Sequence, residues 1–288
     1  MDKNKRHAPE TRNPQSATQA CRPAVLTIAG SDSGGGAGIQ ADLQTFAAAG
    51  VFGTCAITCL TAQNPDTVTA IRPVDTDMIA AQIAAVWDAF PVQAVKTGML
   101  YSADIIAVVA AEMRRRQPPV LVVDPVMVAG SGARLLRDDA VDMLQTRLLP
   151  VATVVTPNIH EAEILAGSAI RDLAAQQRAA VVIAERWNIG CVLKGGHLAD
   201  GSDEVVNVTA WRGRVETWRT PRLRGAKTHG TGCTFAAAMT AALALDTGLF
   251  EAAAHAGRAV VEALTNRPAV GAHYPLNWRA IRHTINEQ

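Results

Sequence analysis

From Pro23 onward, short apolar runs alternate with stretches in which apolar residues recur at helical spacing. Ala24–Ala29 reads as a buried strand, and Ile39–Ala49, stopped by Gly50, reads as a helix. Thr54–Ala62 and Thr67–Val74 have the β-branched composition of strands. Asp75 or Thr76 is placed to cap a helix that runs to Phe90. The alternation continues with strand Ala94–Gly98, helix Ala103–Arg116, strand Val120–Val123, helix Asp138–Leu149 and strand Thr153–Thr156. Helices Glu161–Leu165 and Asp172–Trp187 follow, then strand Cys191–Lys194 and a strand pair at Glu204–Trp211 and Arg214–Trp218. Two alanine-rich helices, Thr234–Leu245 and Phe250–Leu264, close the pattern.

The runs Val120–Val123, Thr153–Thr156 and Cys191–Lys194 are continuous rather than alternating, which predicts burial on both faces and a parallel sheet between helix layers. No Pro/Gly/Ser-rich linker interrupts Pro23 to Asn266 and no internal repeat is visible, so residues 23–288 are expected to form one doubly wound α/β domain. Polar residues just after the strands should then line a crevice at the strands' carboxyl ends. The polar segment 1–22 lacks the apolar core of a secretory signal and is expected to be a disordered tail.

Composition narrows the function. With 49% apolar residues in 288, a large core is available. A formal net charge of +1 gives no pull toward nucleic acid or an anionic membrane, and no run approaches the roughly 18 apolar residues of a span. Cys21, Cys55, Cys59, Cys191 and Cys233 are odd in number and contain no Cys-x-x-Cys pair, so buried thiols in a reducing compartment fit better than a metal site.

The candidate chemistry lies at strand ends and helix starts. In Lys227-Thr-His-Gly-Thr-Gly-Cys-Thr234 a Gly-x-Gly turn feeds a helix, so unpaired N–H groups meet the positive end of a helix dipole. Gly230 and Gly232 are the anion-hole candidates, and Cys233 at its mouth is expected to be partly ionised, a base or nucleophile. The same turn also suits a plain cap on a core helix. Ala29–Asp42 is glycine-rich enough for close backbone approach to a ligand, yet holds neither Gly-x-Gly-x-x-Gly nor a Walker Gly-Lys-Ser/Thr. Gln63 offers an amide able to pair with an aminopyrimidine edge, although a Gln-Asn pair is also an ordinary turn. Asp124 at a strand tip is either a helix cap or an active-site acid. Asn158 and Glu161, three residues apart on one helical face, are oxygen donors that suit Mg²⁺. Lys194 after a buried strand can reach a transferring phosphoryl group or simply snorkel to solvent, and His160, His197 and His229 are given no role.

In their order along the chain, these motifs resemble the hydroxymethylpyrimidine/phosphomethylpyrimidine kinase family of thiamine biosynthesis. The matching pieces are Ile28-Ala-Gly-Ser-Asp32 with Gly35–Asp42, Thr61–Asn64, Lys96–Leu100, Val123–Met127, Thr156–Glu163, Lys194–His197 and Thr228–Thr234. The resemblance implies a three-layer α/β/α ribokinase-like fold with a mostly parallel sheet, ATP as donor, Mg²⁺ as metal and a cytoplasmic homodimer. It implies phosphorylation of 4-amino-5-hydroxymethyl-2-methylpyrimidine to its monophosphate and then its diphosphate. Gly30, Asp42, Gln63, Met99 and Val126 would line the pyrimidine pocket, Asp124, Asn158 and Glu161 would organise Mg²⁺, Lys194 would meet the phosphates, and Cys233 would be the base. Gly35 and Gly130 stand where the family commonly has Ser and Lys. A pyridoxine/pyridoxal kinase or a dual enzyme is the nearest competitor and a catalytically silent pyrimidine-binding regulator a further one. A hydrolase is disfavoured by the absence of a Gly-x-Ser-x-Gly elbow.

Overall fold

A computed structural model describes residues 22–127, 138–196, 202–225 and 228–281. The tail to residue 21, Gly130, His197 and Lys227 lie outside the described residues.

The chain runs β1 (Ala24–Asp32), α1 (Gly38–Ala48), β2 (Phe52–Gln63), β3 (Val68–Pro73), α2 (Thr76–Ala89), β4 (Val92–Thr97), α3 (Ala103–Arg116) and β5 (Val120–Val123). It continues through α4 (Asp138–Met143), β6 (Val154–Val155), α5 (Ile159–Ala166), α6 (Leu173–Trp187), β7 (Gly190–Leu193), β8 (Glu204–Trp211), β9 (Arg214–Pro221), α7 (Thr231–Ala244) and α8 (Leu249–Thr265). The nine strands form one sheet in the order β3-β2-β1-β4-β5-β6-β7-β8-β9. From β2 through β7 all neighbours are parallel, and β3, β8 and β9 join at the edges antiparallel.

Burial on both faces explains the unbroken apolar strands. On β5, Leu121 and Val123 enter the core under α2–α6, while Val122 enters the core under α7 and α8. Val155 and Val154 of β6, and Cys191 and Val192 of β7, split in the same way. Each such aliphatic side chain contributes about 1.5–3 kcal/mol on burial. The second face belongs to α7, whose Ala236, Ala237, Ala238, Ala241 and Ala242 are all buried. A helix apolar all round has to be central, and alanine lets α1 and α8 approach it closely.

Helix boundaries follow capping chemistry. Ser102 accepts from the Ile105 amide to start α3, and Asp172 accepts from Ala175 to start α6. The helix expected over Asp138–Leu149 is α-helical only to Met143; a π-turn at Leu144–Leu148 and a 3₁₀ turn at Leu149–Val151 replace its end. Pro150 cannot donate the amide that a further α-turn would need. Strand β1 runs three residues past the expected Ala29, because a register shift there lets Ser31 and Asp32 pair with Leu60 and Thr61 of β2. Order reverses at β1, which has β2 on one side and β4 on the other, so a crevice opens at the carboxyl ends of these strands.

Candidate active site

The carboxyl ends of β1, β4, β5, β6 and β7 bring most of the candidate residues together. Lys194 leaves β7 and reaches Asp124 at the tip of β5, with Nζ 3.3 Å from Oδ1. Thr156, just after β6, donates its hydroxyl to the same oxygen at 3.3 Å. Asp124 is 3% exposed and Lys194 17%, so the pair sits at the mouth of the crevice. A Cβ placed on Gly232 would stand 3.7 Å from Lys194 Nζ and 3.9 Å from Asp124 Oδ2, which puts both charges over the first turn of α7.

That turn differs from the starts of α3, α5 and α6. Its cap residue is Gly230, in the left-handed region at φ 82°, and no side chain caps it. Among the described residues no protein acceptor meets the Gly232 and Cys233 amides. Uncapped N–H groups at a helix start, beside a lysine, make an anion cradle. Gly230 has a steric requirement as well: a Cβ there would lie 1.9 Å from the Gly36 carbonyl oxygen.

Cys233 is half-buried next to the amide of Gly38. The expectation of a partly ionised thiol is not met. Burial pushes its pKa up to about 11, with Asp42 and Asp124 adding to the rise and Lys96 pulling against it. The helix start alone suggested a lowered value; carboxylates from two other segments and poor solvation decide otherwise.

Asp42 is also corrected. It was expected to line a substrate pocket, yet it is fully buried, with Lys96 Nζ 2.8 and 2.7 Å from its two oxygens and the Thr27 hydroxyl 2.6 Å from one of them. The pair lies beneath the crevice floor. Burial pulls Lys96 toward losing its proton, but Asp42, Cys233 and Asp124 outweigh this and hold its pKa above the ordinary lysine value. The motif Lys96–Leu100 gives Lys96 no role by itself; a charge inside the apolar strand Val92–Thr97 is the signal that it needs a buried partner.

Asn158 and Glu161 form a capping box at the start of α5. The Glu161 amide donates to Asn158 Oδ1 at 3.0 Å, and the Asn158 amide donates to Glu161 Oε2 at 2.8 Å. Asn158 therefore holds Glu161 in place, with its own amide oxygen committed to the cap. Burial raises the Glu161 carboxyl to about 7, with Lys194 lowering it and Asp124 raising it further.

On the other side of the crevice, Met99 packs with Cys59 and with the half-buried Ile71, Tyr101 and Val126. Gly30 faces this cluster: a Cβ there would be 2.8 Å from Cys59 Sγ and 3.7 Å from Met99 Cε. Gln63 ends β2 half-buried, its side-chain oxygen accepting from Thr61 at 3.2 Å. Gly30, Met99 and Val126 thus share one apolar corner, to which Cys59 and Tyr101 were not assigned from sequence, while the contacts of Gln63 are with Thr61 and Ser33.

The family model for phosphomethylpyrimidine kinase matches residues 32–277, which take in both lysine–aspartate pairs and the α7 turn. A hydroxymethylpyrimidine/phosphomethylpyrimidine kinase of Haemophilus influenzae is 46% identical over 256 residues, covering 88% of this chain and 95% of that protein. Among solved structures, an ADP complex of Bacillus subtilis pyridoxal kinase has a TM-score of 0.83 at 36% identity, covering 91% of this chain and 99% of that one. Phosphomethylpyrimidine kinase from Clostridium difficile has a TM-score of 0.75 at 38% identity, covering 84% and 99%. With crevice, cradle and sequence in agreement, the chain belongs to the phosphomethylpyrimidine kinase family.

Proposed function

We propose that this chain uses ATP to phosphorylate 4-amino-5-hydroxymethyl-2-methylpyrimidine, and then phosphorylates the monoester to the diphosphate used in thiamine biosynthesis. The observation that carries the reading is the meeting of Asp124, Lys194 and the uncapped start of α7 within 4 Å of one glycine. Phosphoryl transfer needs positioning and charge neutralisation more than covalent chemistry, and these groups supply both. Lys194 and the amides of Gly232 and Cys233 would hold phosphate oxygens. The apolar corner of Met99 and Val126 would take the ring face, with Gln63 reading the amino edge.

Mg²⁺ would supply charge neutralisation for the phosphates when bound, and it characteristically keeps several waters and takes only one or two carboxylates. The donors fit that habit. Asp124 and Glu161 are hard oxygen donors, both at least 95% buried, and the Glu161 carboxyl, raised by burial first and by the Asp124 charge second, is one whose ionised form a cation would favour. Asn158 serves by fixing Glu161. Cys233 remains the acceptor proposed for the hydroxymethyl proton; with its pKa raised to about 11, only its ionised fraction takes that proton, and the thiol is regenerated as the phosphoryl group is transferred.

Pyridoxal is a second acceptor to test, because a pyridoxal kinase shares this fold at a TM-score of 0.83. Cytoplasmic residence and a homodimer complete the reading. No described helix is long and apolar enough to cross a membrane, and Leu60 and Met78, each more than half exposed, are apolar surface that a subunit contact would cover. The test is a phosphorylation assay with purified protein and ATP, offering the aminopyrimidine and pyridoxal in parallel. Sequential monophosphate and diphosphate of the pyrimidine are expected; transfer to pyridoxal alone would overturn the assignment.

A further inference from the structure

The glycine-rich loop between β1 and α1 turns its amides inward. Those of Gly34, Gly36 and Ala37 donate to the Asp32 carboxylate at 2.8, 3.1 and 2.8 Å, and that of Gly35 donates to the Asp32 carbonyl at 3.0 Å. A nest of this kind ordinarily holds an anion from outside. Here the chain's own carboxylate, 2% exposed, fills it. One more donor, from 197 residues away, reaches Oδ2, the oxygen that already accepts from Gly36 and Ala37: His229 Nε2, at 3.0 Å. The Nε2–H tautomer and the imidazolium both donate there. Burial pushes the Asp32 carboxyl up, but the His229 hydrogen bond and the loop amides outweigh it and keep it below the usual carboxylate range.

The loop also grips the acceptor corner. The Ser33 hydroxyl donates to the Gln63 carbonyl at 2.7 Å and accepts from the Gln63 amide at 2.8 Å. On its other side it meets the cradle turn so closely that a Cβ on Gly36 would be 2.7 Å from the His229 ring. One short segment therefore joins the residue proposed to read the pyrimidine to the turn proposed to hold phosphate. We infer that Asp32 and His229 are positioning residues for phosphoryl transfer: their hydrogen bond clamps the β1–α1 loop onto the α7 turn and sets the distance from acceptor oxygen to anion cradle. The inference rests on the kinase reading above. It concerns how the two halves of the site are held in register, which none of the motif assignments addressed.

A displacement of about 1 Å between reacting groups can cost on the order of 10²-fold in rate. His229→Ala is therefore expected to lower kcat about 10- to 100-fold while the KM for the aminopyrimidine, ATP binding and Tm stay near wild type. His229→Gln should recover most of the loss, because its amide nitrogen has the same reach as Nε2 and donates to the same carboxylate. Hydrogen exchange followed by mass spectrometry gives a readout apart from activity. Peptides covering 33–37 and 228–234 should exchange faster in His229→Ala and return toward wild type in His229→Gln. Wild-type kcat in His229→Ala would overturn the inference, as would a loss accompanied by faster exchange throughout the protein and left unrescued by Gln. An inactive wild-type protein would instead defeat the kinase reading, and unchanged exchange of the two peptides would still defeat the clamp.

Discussion

Two lysine–aspartate pairs stand close together in this molecule, one beneath the crevice and one at its mouth. Lys96 and Asp42 are both fully buried, joined at 2.7 and 2.8 Å, with Thr27 on the same carboxylate. Lys194 and Asp124 are 17% and 3% exposed, and their one contact is 3.3 Å long. The first pair satisfies itself, and a buried pair of that kind is costly to break because the survivor is left as an uncompensated charge. The second is looser and opens onto unfilled N–H groups, so it has capacity left for phosphate oxygens and a cation. Residue type is the same in both. Completeness of local pairing separates a brace from a working site.

Cys233 feels both pairs, and its substitution should have the largest effect on rate. Cys233→Ala is expected to reduce turnover about 10²–10⁴-fold with ATP binding largely intact. Because the thiol titrates near 11, its ionised fraction grows with pH throughout the neutral and mildly alkaline range. In the wild type, log kcat should climb between pH 8 and 10, and in Cys233→Ala, with Glu161 already largely ionised, it should be flat over the same range. Parallel profiles for the two proteins, measured in steady state, would remove the thiol from proton transfer.

The comparison itself breaks if the two aspartates respond alike. Asp42→Asn should destabilise the fold by about 3–5 kcal/mol, seen as a lower urea midpoint. Asp124→Asn should leave that midpoint nearly unchanged and lower kcat about 10²–10³-fold. Equal losses of stability would mean that the mouth pair is also a brace.

Gln63→Leu tests the opposite wall of the crevice. Loss of paired hydrogen bonds there should weaken aminopyrimidine binding by about 1–3 kcal/mol and leave ATP binding alone, by calorimetry. Equal weakening of both ligands would make Gln63 structural.

The smallest expected effect is a ratio. The monoester brings almost two extra negative charges toward the donor phosphate, so Lys194→Gln should impair the second transfer more than the first. A lost unit charge near 4 Å is worth at least about 1 kcal/mol even in water-like surroundings, or about fivefold in the ratio of the two rates. Time courses of both products with excess ATP should show monophosphate accumulating. A uniform slowing would assign Lys194 to ATP alone.

Much of the architecture was legible because it follows from local periodicity. Helix α3 and strand β5 fall on the expected boundaries, and unbroken apolar strands announced a parallel sheet with both faces covered. Ordered motifs were enough for the family, since each marks a strand end or helix start that the fold carries to one edge. The glycine loop was legible as a place of close approach, yet its protein contacts were not: its amides meet Asp32, and its neighbours include His229 and Asn64. Tertiary structure alone placed Asp42 under Lys96, committed the Asn158 amide oxygen to a cap, and raised the Cys233 thiol. The physical reason is common to all three. Backbone propensity is set by near neighbours, whereas the charge state and partners of a side chain depend on solvation and fields built from segments tens to hundreds of residues away, which come together only when the chain has folded.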